Sequence, residues 1–327
     1  MQKLLLDAEK PIPGRLEDGL APGAAASPPA TMQAPPKEPG QKDWDTAFGR
    51  PRNFLNNRFV YAVISQRSHG LSIGINLNPD RYCNFDCPYC EVNREEPPHG
   101  RKVDVKVMSA ELQGLLSLVY EKRLREIPWF RNLPAELLEL KAVALSGDGE
   151  PTLCPNFGEI VREVVHIRSR GKFPFFKVLL ITNTTGLTLP EVRTGLQSLT
   201  TVDEIWVKLD AGTQAYMNKV NSPDISLRRV MANILHVGRE RPVVVQSLFP
   251  LLDGEEPPAE EIEHYVQRLQ ELKAGGAQIS LVQVYSAHRP PALARRGGAD
   301  CGHLPLKSLS QIARRVRQAT GLKAEVF

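Results

Sequence analysis

The sequence predicts an α/β fold with its strands arranged as a partial (β/α)6 barrel. Strand-like apolar runs alternate with apolar stripes at helical spacing between residues 71 and 285, and strands that follow one another through helices pair in parallel. Each of the six strand runs ends in polar or glycine-rich residues, as strands do when their C-terminal ends converge on the working face of a barrel. Hydrophobic residues make up 42% of the 327-residue chain and charged residues 24%, so the chain can bury the core that such a fold needs.

Residues 1–45 stand apart from this pattern. Ala24-Ala25-Ala26-Ser27-Pro28-Pro29 and Pro35-Pro36 lie in a stretch without a sustained apolar period. Such a segment cannot bury enough surface to offset its ordering entropy, which predicts a disordered tail. The barrel is expected over 46–290 and a C-terminal helical extension over 291–327.

The first strand is carried by Leu71, Ile73, Ile75 and Leu77, which alternate with small and polar residues. Leu112, Leu115, Leu116 and Val119 follow at helical spacing behind Ser109, which has the chemistry of an N-cap. Strand 142–145 leads to the stripe Phe157, Ile160, Val161, Val164 and Val165, and then to strand 176–181. Helix 189–199, with Pro190 in its first turn, precedes strand 205–209. A helix opening at Ser226 buries Val230, Ile234 and Val237 before strand 242–249. The last unit pairs the stripe Ile262, Tyr265, Val266, Leu269 and Leu272, closed by Gly275-Gly276, with strand 279–285. A final helix is expected over 308–320, with Lys323-Ala-Glu-Val-Phe327 covering apolar surface or capping the open side of the barrel.

Directly after the first strand comes Arg81-Tyr-Cys-Asn-Phe-Asp-Cys-Pro-Tyr-Cys90. Cys83, Cys87 and Cys90 are spaced to wrap one face of an iron–sulfur cube, filling three of its four ligand positions and leaving one iron open for chemistry. The same spacing suits zinc, with His99 near enough in sequence to complete a Cys3His set. Cys154 and Cys301 are too few and too far apart to build a second such site. They read as buried and inert, with hydrogen donation by Cys154 near the pocket as the alternative.

Five cysteines is an odd number, and Met1-Gln-Lys-Leu-Leu-Leu-Asp7 turns charged after three leucines. We therefore expect no secretory leader and a reducing, cytoplasmic setting. No apolar run approaches the roughly 20 residues of a membrane span, so no membrane is expected. A net charge of +4, from 41 Lys and Arg against 37 Asp and Glu, permits an anionic partner without requiring one. The pairs Arg228-Arg229, Arg295-Arg296 and Arg314-Arg315 are short, and two of them lie on helical stretches, where charge normally faces solvent.

The cysteine run with Tyr89 before its last cysteine, followed one strand later by Gly149-Glu150-Pro151, resembles the radical S-adenosylmethionine (SAM) superfamily over roughly residues 68–290. Ser146-Gly-Asp-Gly-Glu-Pro-Thr152, Lys208-Leu-Asp-Ala211 and Arg289-Pro-Pro291 are similar to a group of Fe–S oxidoreductases related to the wyosine-tRNA synthases. The resemblance implies a barrel of the radical SAM type with a [4Fe–4S] cluster on Cys83, Cys87 and Cys90, whose open iron chelates the amine and carboxylate of SAM. It further implies that Tyr89 presents backbone or ring to the adenine and that Gly149 and Glu150 meet the ammonium group, with Asn183 assisting. Lys208 and Asp210, two apart on one strand and so on one face, suit the SAM carboxylate and the ribose hydroxyls. Three positions depart from the family pattern. Asp148 separates two glycines that many members have adjacent, Thr184 stands where glycine is common, and Lys208 replaces a frequent serine.

The activity so implied is reductive cleavage of SAM to a 5′-deoxyadenosyl radical that abstracts hydrogen from a substrate, with an electron donor such as flavodoxin or ferredoxin. A small molecule or a protein is the expected substrate. Alternatives are a tRNA-modifying enzyme, a radical activase of a partner protein, and a non-catalytic zinc or Fe–S binding module. His288 and Arg289, just past the last strand, are placed to grip a substrate, and arginine suits phosphate or carboxylate.

Overall fold

In chain order the elements are β1 (Val60–Ser65), β2 (Gly70–Asn76), α1 (Val105–Tyr120), β3 (Leu140–Ser146), α2 (Phe157–Ser169), β4 (Lys177–Thr182), α3 (Pro190–Leu196), β5 (Glu204–Lys208), α4 (Gln214–Asn221), α5 (Leu227–Glu240), β6 (Val243–Leu248), β7 (Pro250–Leu252), α6 (Ala259–Ala274), β8 (Ile279–Tyr285), β9 (Cys301–His303), α7 (Leu306–Thr320) and β10 (Ala324–Val326). This computed structural model describes residues 47, 54–92, 94, 100, 102–287 and 300–327. The 1–45 tail, His99, His288, Arg289 and Arg295-Arg296 lie outside the described residues.

The main sheet has eight strands in the order β1-β2-β3-β4-β5-β6-β8-β10. All neighbours are parallel except β1, which runs antiparallel to β2. The six strands from β2 to β8 are the six expected from sequence, joined by helices into the α/β partial barrel. Two further strands extend the sheet at its edges. β1 is half-buried in alternation and reaches β2 through a turn in which His69 has φ 56° and Gly70 φ 151°. At the other edge β10 pairs with β8. Its short sequence, Ala-Glu-Val, carries too little pattern to read as a strand, so the chain end read as a cover extends the sheet instead.

Helix ends follow capping chemistry, with one correction. Asp104, not Ser109, caps α1: its carboxylate accepts from the amides of Lys106 and Val107 at 3.0 and 3.2 Å. Ser109 lies inside the helix and donates to Glu163 at 2.6 Å. Ser226 caps α5 by accepting from the Arg229 amide, and Gly276 takes φ 93° after α6, where glycine is nearly free of strain.

The two faces of the sheet are packed differently. Leu71, Ile73, Ile75, Val143, Leu145, Val178, Leu180, Val245 and Val282 face the helices in one continuous core. Ala142, Ala144, Leu179, Trp206 and Val244 form a smaller cluster on the concave inner face. At the N-terminal ends of β4 and β5, Arg168 and Asp203 form a two-pronged ion pair of 2.6 and 3.0 Å with side chains 6% and 0% exposed. Burial alone would push the Asp203 carboxyl up. Arg168 and the amides of Val178 and Thr200 outweigh it and hold the carboxyl below its usual range. This lock sits on the face of a barrel that serves stability. The opposite face carries the site.

Candidate functional site

The cysteine loop after β2 is stapled from two sides. On one side the Glu150 amide donates to the Tyr82 carbonyl at 3.0 Å. A Cβ built on Gly149 would strike that same carbonyl, so only glycine fits there. On the other side, the Asp86 amide donates to the Asn221 carbonyl at 2.9 Å, the Asp224 amide to Asn84 at 3.2 Å, and Phe85 bridges to Pro223. The loop is thereby held between the β3 loop and the segment joining α4 to α5.

All three cysteines of the loop are free thiols lining a pocket of about 210 Å³ together with Gly147, Asp148, Gly149, Glu150, Asn183 and Lys208. Three N–H groups approach two of the sulfurs. The Phe85 amide and Asn183 Nδ2 lie 3.4 and 3.9 Å from Cys83 Sγ, and Asn221 Nδ2 lies 3.5 Å from Cys87 Sγ. Burial pushes the Cys83 thiol up to about 12 and also raises that of Cys87, against the pull of Arg94 on the first and Lys208 on the second, because a buried thiolate is poorly solvated. Among the described residues, no three His, Cys, Asp or Glu side chains converge as a single-ion site requires.

Glu150 and Asp210 reach the pocket region with their carboxylates already engaged. Glu150, 2% exposed, accepts from the Thr152 amide and hydroxyl at 3.0 and 2.5 Å, from the Asn183 amide at 2.6 Å, and from the Thr182 hydroxyl. Burial holds its carboxyl above the usual range in spite of those donors. Asp210 accepts from the Tyr89 hydroxyl, from Lys208 Nζ at 3.0 Å, from Asn221 Nδ2 at 2.8 Å and from the Leu248 amide at 2.9 Å. Burial opposes charge on Lys208, but Asp210 together with Tyr285 and Cys87 outweighs it and keeps the ammonium protonated.

Tyr89, 7% exposed, has its hydroxyl in this same network, 3.1 Å from Lys208 Nζ and 2.7 Å from Asn221 Nδ2. Asn183 lines the pocket with its side chain bonded to Asn84 at 3.0 Å. Thr184 has φ 79° and a buried hydroxyl without a partner. A β-branched residue is strained in that conformation, which gives a backbone reason for glycine being common at this position. The structure adds Asn221, Thr152, Thr182 and Asn78 to the residues anticipated. Asn78 donates to the Glu150 carbonyl at 3.0 Å, and a Cβ on Gly147 would strike it. Cys154 is buried 3.4 Å from Asn156 Oδ1 and does not line the pocket.

A family model described as "Radical SAM superfamily" matches residues 77–269, more than half of the chain. The chain is 29% identical over 185 residues to a UPF0026 protein of Synechocystis sp., a match spanning 55% of this chain and only 60% of that protein. To a UPF0026 protein of Helicobacter pylori it is 22% identical over 271 residues, spanning 78% of this chain and 79% of the other. Its backbone is similar to that of a radical SAM methyltransferase from Sphaerobacter thermophilus, with a TM-score of 0.54, covering 82% of this chain and 68% of that one. At 13% identity that likeness is one of fold.

Proposed function

The chain belongs to the radical SAM superfamily, and from that premise we propose an enzyme that holds a [4Fe–4S] cluster on Cys83, Cys87 and Cys90, binds SAM beside it and abstracts hydrogen from a substrate in the barrel. The observation that carries this reading is the gathering of three thiols from one loop into one pocket with the glycine-rich loop after β3, Asn183 and Lys208. Thiolates suit an iron–sulfur cluster, and N–H groups directed at their sulfurs are the usual means of tuning it. When bound, the cluster supplies the electron that cleaves SAM reductively to methionine and a 5′-deoxyadenosyl radical. That electron comes from an external donor such as flavodoxin or ferredoxin.

The chain's own residues bind, orient and exclude water. Lys208, kept charged and aimed by Asp210 and Tyr89, is assigned to the SAM carboxylate. Backbone carbonyls of Gly147–Gly149 are assigned to its ammonium group. Glu150 and Asp210 act as positioning residues, because each carboxylate is filled by four internal donors. Ile181 and Tyr285 wall the pocket and keep solvent from a reactive radical.

Protein reconstituted anaerobically should carry iron and sulfide in equal amounts and, with dithionite and SAM, release 5′-deoxyadenosine. Zinc in place of iron, or an intact cluster that leaves SAM uncleaved, would refute the proposal.

The substrate we propose is a small molecule or a protein rather than tRNA. Arg228 and Arg229 are exposed on α5, and Arg315 is engaged by Glu263 in two bonds of 2.6 Å. None of them lines the pocket. Bulk tRNA is expected to bind weakly and to lose affinity steeply as salt rises, since each neutralised phosphate releases counterions. Tight binding that survives physiological salt would make tRNA the substrate.

A further inference from the structure

A second cavity, of about 730 Å³, lies against the concave inner face of the sheet and shares Arg67, Ser146 and Tyr285 as lining with the cysteine pocket. Its wall is apolar where Ala144, Leu179 and Trp206 face it. Arg67, from the turn between β1 and β2, enters this space with its guanidinium carbon 4.5 Å from the ring centroid of Tyr285 and 5.7 Å from that of Trp206. Contact with ring faces leaves the N–H edge of a guanidinium available for a two-pronged bond.

The other cations at the site are already paired, Lys208 with Asp210 at 3.0 Å and Arg94 with Asp86 at 3.4 Å. Glu91 also lines this cavity, but among the described residues neither it nor any other carboxylate forms an ion pair with Arg67. A half-buried cation without a counter-ion is costly, and an anionic ligand removes that cost. An independent observation points the same way. The Ser72 hydroxyl lines this cavity, is 3% exposed and has no hydrogen-bond partner, whereas buried hydroxyls are nearly always bonded.

We propose that this cavity binds the substrate and that the substrate carries a carboxylate or phosphate on a flat apolar body, the acid held by Arg67 and Ser72 and the body resting on Trp206 and Leu179. This deepens the radical SAM reading by naming the substrate class, and rests on it only in taking the cavity's occupant to be the substrate.

The test is a tryptophan-fluorescence titration of the reconstituted full-length protein with benzoate, phenyl phosphate and the neutral isostere benzamide, with Trp206→Phe used to assign the signal. At least one of the two anions should quench Trp206 in the millimolar range or below, and the tighter one identifies the acid. Benzamide should bind more weakly. Arg67→Gln should weaken the anion by about tenfold to a hundredfold, the range for a charge-assisted hydrogen bond, with Arg67→Lys in between because it keeps the charge and loses the fork. Ser72→Ala should give a smaller loss. Equal affinity for benzamide, an unchanged Arg67→Gln, or no quenching by either anion would overturn the proposal. So would a parallel loss of SAM affinity in Arg67→Gln, which would assign Arg67 to the cofactor. Because the titration reads binding and not radical chemistry, its failure leaves SAM cleavage standing, and failure of SAM cleavage leaves the titration interpretable.

Discussion

Replacing Cys87 with alanine is expected to strip most of the iron from the reconstituted protein. Cys87 is one of three thiols in the pocket, and a cube left with two thiolates loses a third of its protein ligands. The Cys83→Ala and Cys90→Ala chains should behave alike. Asn221→Ala is the informative contrast: it removes an N–H donor 3.5 Å from Cys87 Sγ and no ligand, so affinity should fall by about tenfold to a hundredfold, as for other groups that orient a ligand. Cys154→Ala and Cys301→Ala should retain iron, since neither thiol lines the pocket. Iron and sulfide content with the visible absorption spectrum decides it, and full iron retention in Cys87→Ala would sink the ligand assignment.

Much of this architecture was legible because the physics behind it is local. β2 announces itself by alternation and β3, β4 and β6 by short apolar runs, and each ends in residues that a buried strand would not otherwise carry. β10, with three residues and a central glutamate, has no such pattern; it exists because the edge of β8 offers hydrogen-bond partners, a tertiary cause. α4 was missed because its eight residues, of which Tyr216, Met217, Val220 and Asn221 are buried, are too few to repeat an apolar stripe, so Asn221 stood as one asparagine among several with nothing to mark it as the residue that joins Cys87, Tyr89 and Asp210. Cysteine spacing indicated which thiols gather, and the glycine–glutamate pair which loop meets them. That Gly149 is required by the Tyr82 carbonyl, and that Glu150 turns inward to four donors, depends on how two loops pack, which spacing in one loop does not encode.

Those inward-turned carboxylates set the last expectation, because Glu150 and Asp210 should fail in different ways. Glu150→Ala leaves four buried donors without an acceptor, at about 1–3 kcal/mol for each group truly stranded. Relaxation and water will recover part of that, so a loss of about 3 kcal/mol or more is expected against a total of roughly 5–15 kcal/mol. It should appear as a lower urea midpoint with little change in slope. Asp210→Asn keeps an oxygen for the Leu248 amide but sets an amide nitrogen among the donors of Tyr89, Lys208 and Asn221. Lys208 is 21% exposed, so water softens the loss of its partner and the cost falls below the 3–5 kcal/mol of a fully buried broken pair, to about 2 kcal/mol. Removing the cation as well, in Lys208→Met with Asp210→Asn, should recover most of that stability, because no unpaired charge remains. It should not recover SAM affinity, which is expected to stay about tenfold to a hundredfold weaker once the SAM carboxylate has lost its ammonium partner. Stability and binding thus separate within one pair of residues. A Lys208→Met chain that binds SAM as tightly as its parent would remove Lys208 from the cofactor site and leave the pair with a structural role alone.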